Sequence, residues 1–133
     1  MIPNRKALVC IGLLVIAGTV QADPTLINTC PFVITSPGDY LLAANLMCGG
    51  GDGITINTGN VRLALEGHTI TAGVGAKRAI VASTQFGVLQ NVRILGPGLI
   101  TNSGANAFSA GVFLDFVVNA EMSGIMVLGR SEA

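Results

Sequence analysis

Charge is scarce in this chain, and nowhere does it gather. Seven Lys+Arg and seven Asp+Glu are spread over 133 residues without a basic run or patch. That excludes the electrostatic footprint of a nucleic-acid binder. There is one histidine, His68, and no C-x-x-C pair, so the usual spacing of a zinc site is absent. The glycine run Gly49-Gly50-Gly51-Asp52-Gly53 is not followed by Lys-Ser/Thr or by an amphipathic helix pattern, which makes it a turn and not a phosphate loop. No two carboxylates lie within three residues of each other. A local acid/base pair is therefore missing, and any carboxylate cluster would have to come from the fold.

Residues 7–20 are apolar but fall short of the roughly 20 residues a membrane-spanning helix needs. Arg5 and Lys6 precede this run, and Val20-Gln21-Ala22 follows it with small residues at the −3 and −1 positions of a cleavage site. Together these predict a signal peptide over residues 1–22, a mature chain that begins at Asp23, and a secreted, periplasmic or extracellular location without stable membrane insertion. The mature chain keeps five Lys+Arg against seven Asp+Glu, a formal charge of −2. Cys10 leaves with the signal, so Cys30 and Cys48 meet an oxidising compartment, where a disulfide is the simple reading. Closing that loop is worth about 3 kcal/mol in the loop-entropy picture. The rival, a pair of metal-binding thiolates, lacks the spacing and a nearby histidine.

What the chain does have is a repeated phrase. Asn60-Val61-Arg62-Leu63, Asn91-Val92-Arg93-Ile94 and Asn119-Ala120-Glu121-Met122 share the order Asn, small apolar, charged, large apolar, at offsets of 31 and 28 residues. A period of this size signals stacked supersecondary units. The units are short apolar strands broken by Gly and Asn, which predicts an all-β solenoid of about three coils over residues 53–129. A lead-in segment over 23–52 precedes the coils, and a tail over 130–133 follows them. Period-two alternation assigns Ile54, Ile56, Leu63, Leu65, Ile80, Val92, Ile94, Val112 and Ile125 to the core. Asn60, Asn91 and Asn119 fall at one corner of each coil, where Asn accepts a left-handed backbone and stacked amides can form a ladder. The same phasing stacks Arg62, Arg93 and Glu121 on the outer face as a candidate ligand-facing ridge.

Two stretches carry a family resemblance. Cys30-Pro31-Phe32-Val33-Ile34-Thr35-Ser36-Pro37-Gly38-Asp39-Tyr40-Leu41-Leu42, with Asn45-Leu46 and Cys48, is similar to the N-terminal cap of secreted right-handed parallel β-helix proteins, the pectate-lyase-like superfamily. Asp52-Gly53-Ile54-Thr55-Ile56, followed by Asn60 to Ile70, resembles their first full coil. The resemblance implies the fold of the whole mature chain. It says little about activity, because that superfamily hosts lyases, hydrolases, epimerases, adhesins and NosD-like periplasmic proteins. The chain is also much shorter than such proteins usually are.

Two function classes follow. One is a non-catalytic scaffold or surface module associated with carbohydrate, or a fragment of a longer protein of that kind, with no cofactor. The other is a lyase or hydrolase acting on an acidic polysaccharide, for which the resemblance implies calcium-binding acids and a basic residue. No catalytic, cofactor or metal motif of the family can be placed on this chain, which favours the first class. A lone His68 in a Gly-His-Thr-Ile turn reads as a turn hydrogen-bonder. Lys77-Arg78 read as a solvated loop, with binding of a sulfated or uronic-acid polymer as the sharper alternative. The residues after Leu128 are too few and too polar to cover an apolar last coil. Self-association through that end, or poor solubility, is therefore expected.

Overall fold

The computed structural model describes residues 23–129. The predicted signal peptide and residues 130–133 lie outside them. Among the described residues no helix is long and apolar enough to cross a membrane. The fold is an all-β solenoid in which every strand pair is parallel.

Strands of three to five residues make up the lead-in and the first coil, and longer ones appear in the second and third. The lead-in carries β1 (Thr25–Ile27), β2 (Phe32–Ile34), β3 (Gly38–Leu42) and β4 (Leu46–Cys48). The first coil follows with β5 (Ile54–Ile56), β6 (Val61–Ala64) and β7 (Thr69–Ala72). In the second coil β8 (Arg78–Ala82) is followed by the long β9 (Leu89–Thr101), whose first arm pairs with β6 and whose second arm pairs with β7. The third coil repeats this with β10 (Ala110–Leu114) and β11 (Val117–Val127). The lead-in strands sit in register with the first coil, as in Phe32↔Ile54, Tyr40↔Leu63 and Leu46↔Ile70. The segment expected as a cap is thus shaped as a rung continuous with the stack.

Corners come from residues that accept a left-handed backbone. Asn60, Asn91 and Asn119 have φ of 57°, 60° and 60°. In this conformation a side chain other than Asn or Gly costs about 1–2 kcal/mol. The connection at another corner varies in length. It runs over residues 49–53, then 73–77, then 102–109.

The core is a set of columns running along the stack. Ile54, Ile56, Leu63, Leu65, Ile80, Val92 and Ile94 are fully buried, as their alternation predicts. Each full burial is worth roughly 1.5–3 kcal/mol. Val112 and Ile125, expected in the same core, are only half-buried. They belong to the last described rung, which has neighbours on one side only.

One polar device clips the coils together along the axis. The Arg78 guanidinium donates from Nε and Nη2 to the two carboxylate oxygens of Asp52 at 2.9 and 2.8 Å, and it lies 4.7 Å from the centre of the Phe113 ring. One side chain thereby links three successive rungs. Hydrogen bonding from Arg78 holds the Asp52 carboxyl below its ordinary value, against the opposing effect of partial desolvation. A carboxyl depressed on folding contributes stability above its unfolded pKa and loses that contribution as pH falls through the folded one. Asp52→Asn is therefore expected to lower the denaturation midpoint near neutral pH. The gap between the two proteins should begin to narrow as pH falls below about 4 and go on closing as Asp52 protonates in the folded state. Denaturant titrations at a series of pH values check this, and a gap that persists in acid would assign the loss to something other than the ion pair.

Candidate functional site

One outer face is formed by β3, β6, the first arm of β9 and the first half of β11. In β6 the side chains of Val61 and Leu63 point inward, so Arg62 between them points out. Strict register then aligns Asp39 with Arg62, Arg62 with Arg93, and Arg93 with Glu121. The ridge expected from Arg62, Arg93 and Glu121 is thus a column of four charges, with Asp39 at its foot. Arg93 Nε donates to Glu121 Oε1 at 2.6 Å, and both side chains are half-exposed, so the pair contributes about 0–1 kcal/mol. Among the described residues Arg62 makes no ion pair.

The columns on either side differ in chemistry. Two residues before the arginines stands the amide ladder. Asn91 Nδ2 donates to Asn60 Oδ1 at 2.9 Å, and Asn119 Nδ2 donates to Asn91 Oδ1 at 3.3 Å. Two residues after them, register aligns Leu41, Ala64, Leu95 and Ser123. The face therefore presents a line of amides and a line of charge parallel to the solenoid axis, and beside them a line in which Leu41 and Leu95 are partly exposed and Ala64 is buried.

Adjacent strands lie about 4.8 Å apart, so three rung steps put Asp39 and Glu121 about 14 Å apart, with two guanidinium groups between them. Two-carboxylate glycoside hydrolysis needs separations of about 5–9.5 Å. Among the described residues no three of His, Cys, Asp and Glu come together.

The other singled-out residues have local roles. His68 Nδ1 lies 3.4 Å from Asn45 Oδ1, which also accepts the Thr69 N–H at 2.9 Å, so His68 belongs to a corner that ties the lead-in to the first coil. Arg78, grouped with Lys77 in a solvated loop from the sequence, instead opens β8 and is engaged by Asp52 and Phe113. It is not available to a ligand while those contacts hold. Cys30 and Cys48 are joined in a disulfide with Cα atoms 5.3 Å apart. Such a bond fits an oxidising compartment.

Sequence reasoning missed Asp39 and the Asp52–Arg78–Phe113 clip. Asp39 was findable, because Gly38-Asp39-Tyr40-Leu41 has the alternation of Val61-Arg62-Leu63-Ala64. Pro37 stands where the other coils have Asn, and that hid the match. No family model, no curated protein and no solved structure matches this chain, so what it resembles rests on the residues and the geometry above.

Proposed function

We propose that this chain is a secreted or periplasmic parallel β-helix module of the pectate-lyase-like kind, and that it serves as a non-catalytic scaffold that associates with acidic polysaccharide. The observation that carries this reading is the order of charges along the outer column: acid, base, base, acid. Two guanidinium groups one rung apart suit carboxylate or sulfate groups on a polymer lying along the axis. Beside the column, the partly exposed Leu41 and Leu95 offer the C–H face of a sugar ring an apolar contact. The wide carboxylate separation argues against a hydrolase. The disulfide supports an exported setting.

Affinity electrophoresis in gels containing pectate or alginate tests the binding. Migration of the wild type should be retarded. Arg62→Ala should weaken that retardation about tenfold, the effect of losing one charge-assisted contact. Parallel turnover assays on the same polymers, with and without calcium, address the enzyme class. Turnover abolished by Arg62→Ala or Arg93→Ala would replace the scaffold reading with a lyase.

A further inference from the structure

The two arginine rungs of the outer face are unequal. In the second coil both polar side chains are engaged. Arg93 Nε donates to Glu121 Oε1 at 2.6 Å, and Asn91 Nδ2 donates to Asn60 Oδ1 at 2.9 Å. The first coil differs. Among the described residues Arg62 has neither an ion pair nor a side-chain hydrogen bond. Asn60 accepts from Asn91 and donates to nothing, so both hydrogens on its Nδ2 are unused.

The rung below explains the difference. Register places Gly38 beside Val61 and Asp39 beside Arg62. Pro37 therefore stands where a further Asn would continue the ladder, and its ring has no amide oxygen to accept from Asn60. Asp39 neighbours Arg62 as Glu121 neighbours Arg93, yet it is exposed and forms no ion pair. Its side chain is one methylene shorter than that of Glu121. The result is three unmatched groups together: an amide NH₂, a guanidinium, and a carboxylate one rung step of about 4.8 Å away. Paired strands lie on both sides of this rung, β1 and β3 below and β9 and β11 above. The unmatched groups are therefore not an effect of a chain end.

We infer that Asn60, Arg62 and Asp39 form a subsite for a single uronic-acid residue, and that this first rung, rather than the second, anchors the polymer. The inference rests on the polysaccharide reading above and narrows it. A sugar carboxylate accepts hydrogen bonds from the Arg62 guanidinium and from the Asn60 amide. A simple anion gains nothing more, because it has no hydrogen to give Asp39 and meets only its negative charge. A uronic-acid ring carries hydroxyl groups close to its carboxylate, and a hydroxyl donates to Asp39. The three groups together thus call for an acid and an alcohol on one small ring. Arg93 adds less, since Glu121 already occupies its Nε.

The test titrates trigalacturonate into the isotope-labelled chain, purified with its disulfide formed, and follows the amide resonances. Shifts should concentrate in β3 and β6, and sodium acetate at the same concentration should not reproduce them. Arg62→Ala should raise Kd about tenfold and Asn60→Gly about fivefold. Gly holds the left-handed corner without strain, so the fold is kept. Arg93→Ala and Asn91→Gly should stay within about twofold of wild type. Asn91→Gly breaks both bonds of the amide ladder but leaves the Asn60 donor, so the two Asn variants separate loss of the donor from loss of the ladder. Asp39→Ala gives a decisive sign. It removes a negative charge from beside the ligand, yet it should weaken binding about threefold, because the hydroxyl loses its acceptor. Tighter binding by Asp39→Ala would overturn the inference and leave the polysaccharide reading standing. So would equal losses in the two rungs, or acetate shifts that match those of the uronide. No response of the wild type to any uronide would remove both.

Discussion

Gly96→Ala is expected to cost about 3 kcal/mol or more, at the upper end of what overpacking does. Gly96 sits where β9 bends from its first arm to its second, and Gly124 sits at the matching bend of β11 one rung on. The backbones meet there with no side chain between them. A Cβ on Gly96 would fall within the carbonyl of Gly124 and 3.0 Å from its Cα. The atoms it strikes are backbone, in a strand held to β9 by ladder hydrogen bonds before and after the bend, so they cannot swing away as a side chain would. Gly124 has φ of +71° and shares in a register shift of the β9–β11 ladder, so the approach is already tight. Gly104→Ala is the comparison. That residue also has positive φ, at +58°, but an added Cβ meets nothing within 4 Å. It should cost about 1–2 kcal/mol from backbone conformation alone. Denaturant midpoints measured side by side check the difference. Equal losses would mean that the two rungs can move apart at the bend.

Replacing the disulfide should have an effect of similar size. Cys30→Ala with Cys48→Ala frees a loop with a sequence separation of 18, for an expected loss of about 3 kcal/mol. In a domain of this size that corresponds to a fall in Tm on the order of 15 °C. The loss should begin locally. The bond holds the segment that seals Ile27 and Ile34, so its removal should open the lead-in end before the coils melt. Binding of a hydrophobic dye under mild denaturant, ahead of the loss of the β-sheet circular dichroism signal, is the expected sign. A single transition with unchanged midpoint would show that β1 and β2 hold the end without the bond.

The solenoid was legible because its code is local and repeated. Asn at the corner, two apolar residues flanking a charge, and a spacing near thirty residues specify a coil without reference to the rest of the chain. The same code stacked Arg62, Arg93 and Glu121, since residues at equal phase must meet in a parallel register. Asp39 escaped because its coil turns with Pro37-Gly38 in place of Asn, so the phase marker is missing even though the alternation is intact. The Arg78 clip escaped for a different reason. Asp52, Arg78 and Phe113 occupy no shared position in the repeated phrase, and only the fold brings them together. Val112 and Ile125 have the pattern of core residues, and their half-burial follows from what lies beyond them. Alternation assigns a side chain to a face; it says nothing of whether that face is covered.

The unequal corner loops separate two kinds of inheritance. Insertions that lengthen the connection from residues 49–53 to 102–109 leave strand phase untouched on both sides. A single residue added within β6 would turn Arg62 inward and Leu63 outward. Length in this architecture is thus free to drift at the corners, where the connections over 57–60, 83–88 and 115–116 differ as well, and tightly held within the paired strands. For an engineer, the 102–109 loop is the place to splice in a peptide, and the gain or loss of one whole turn is the natural step by which such a chain lengthens or shortens.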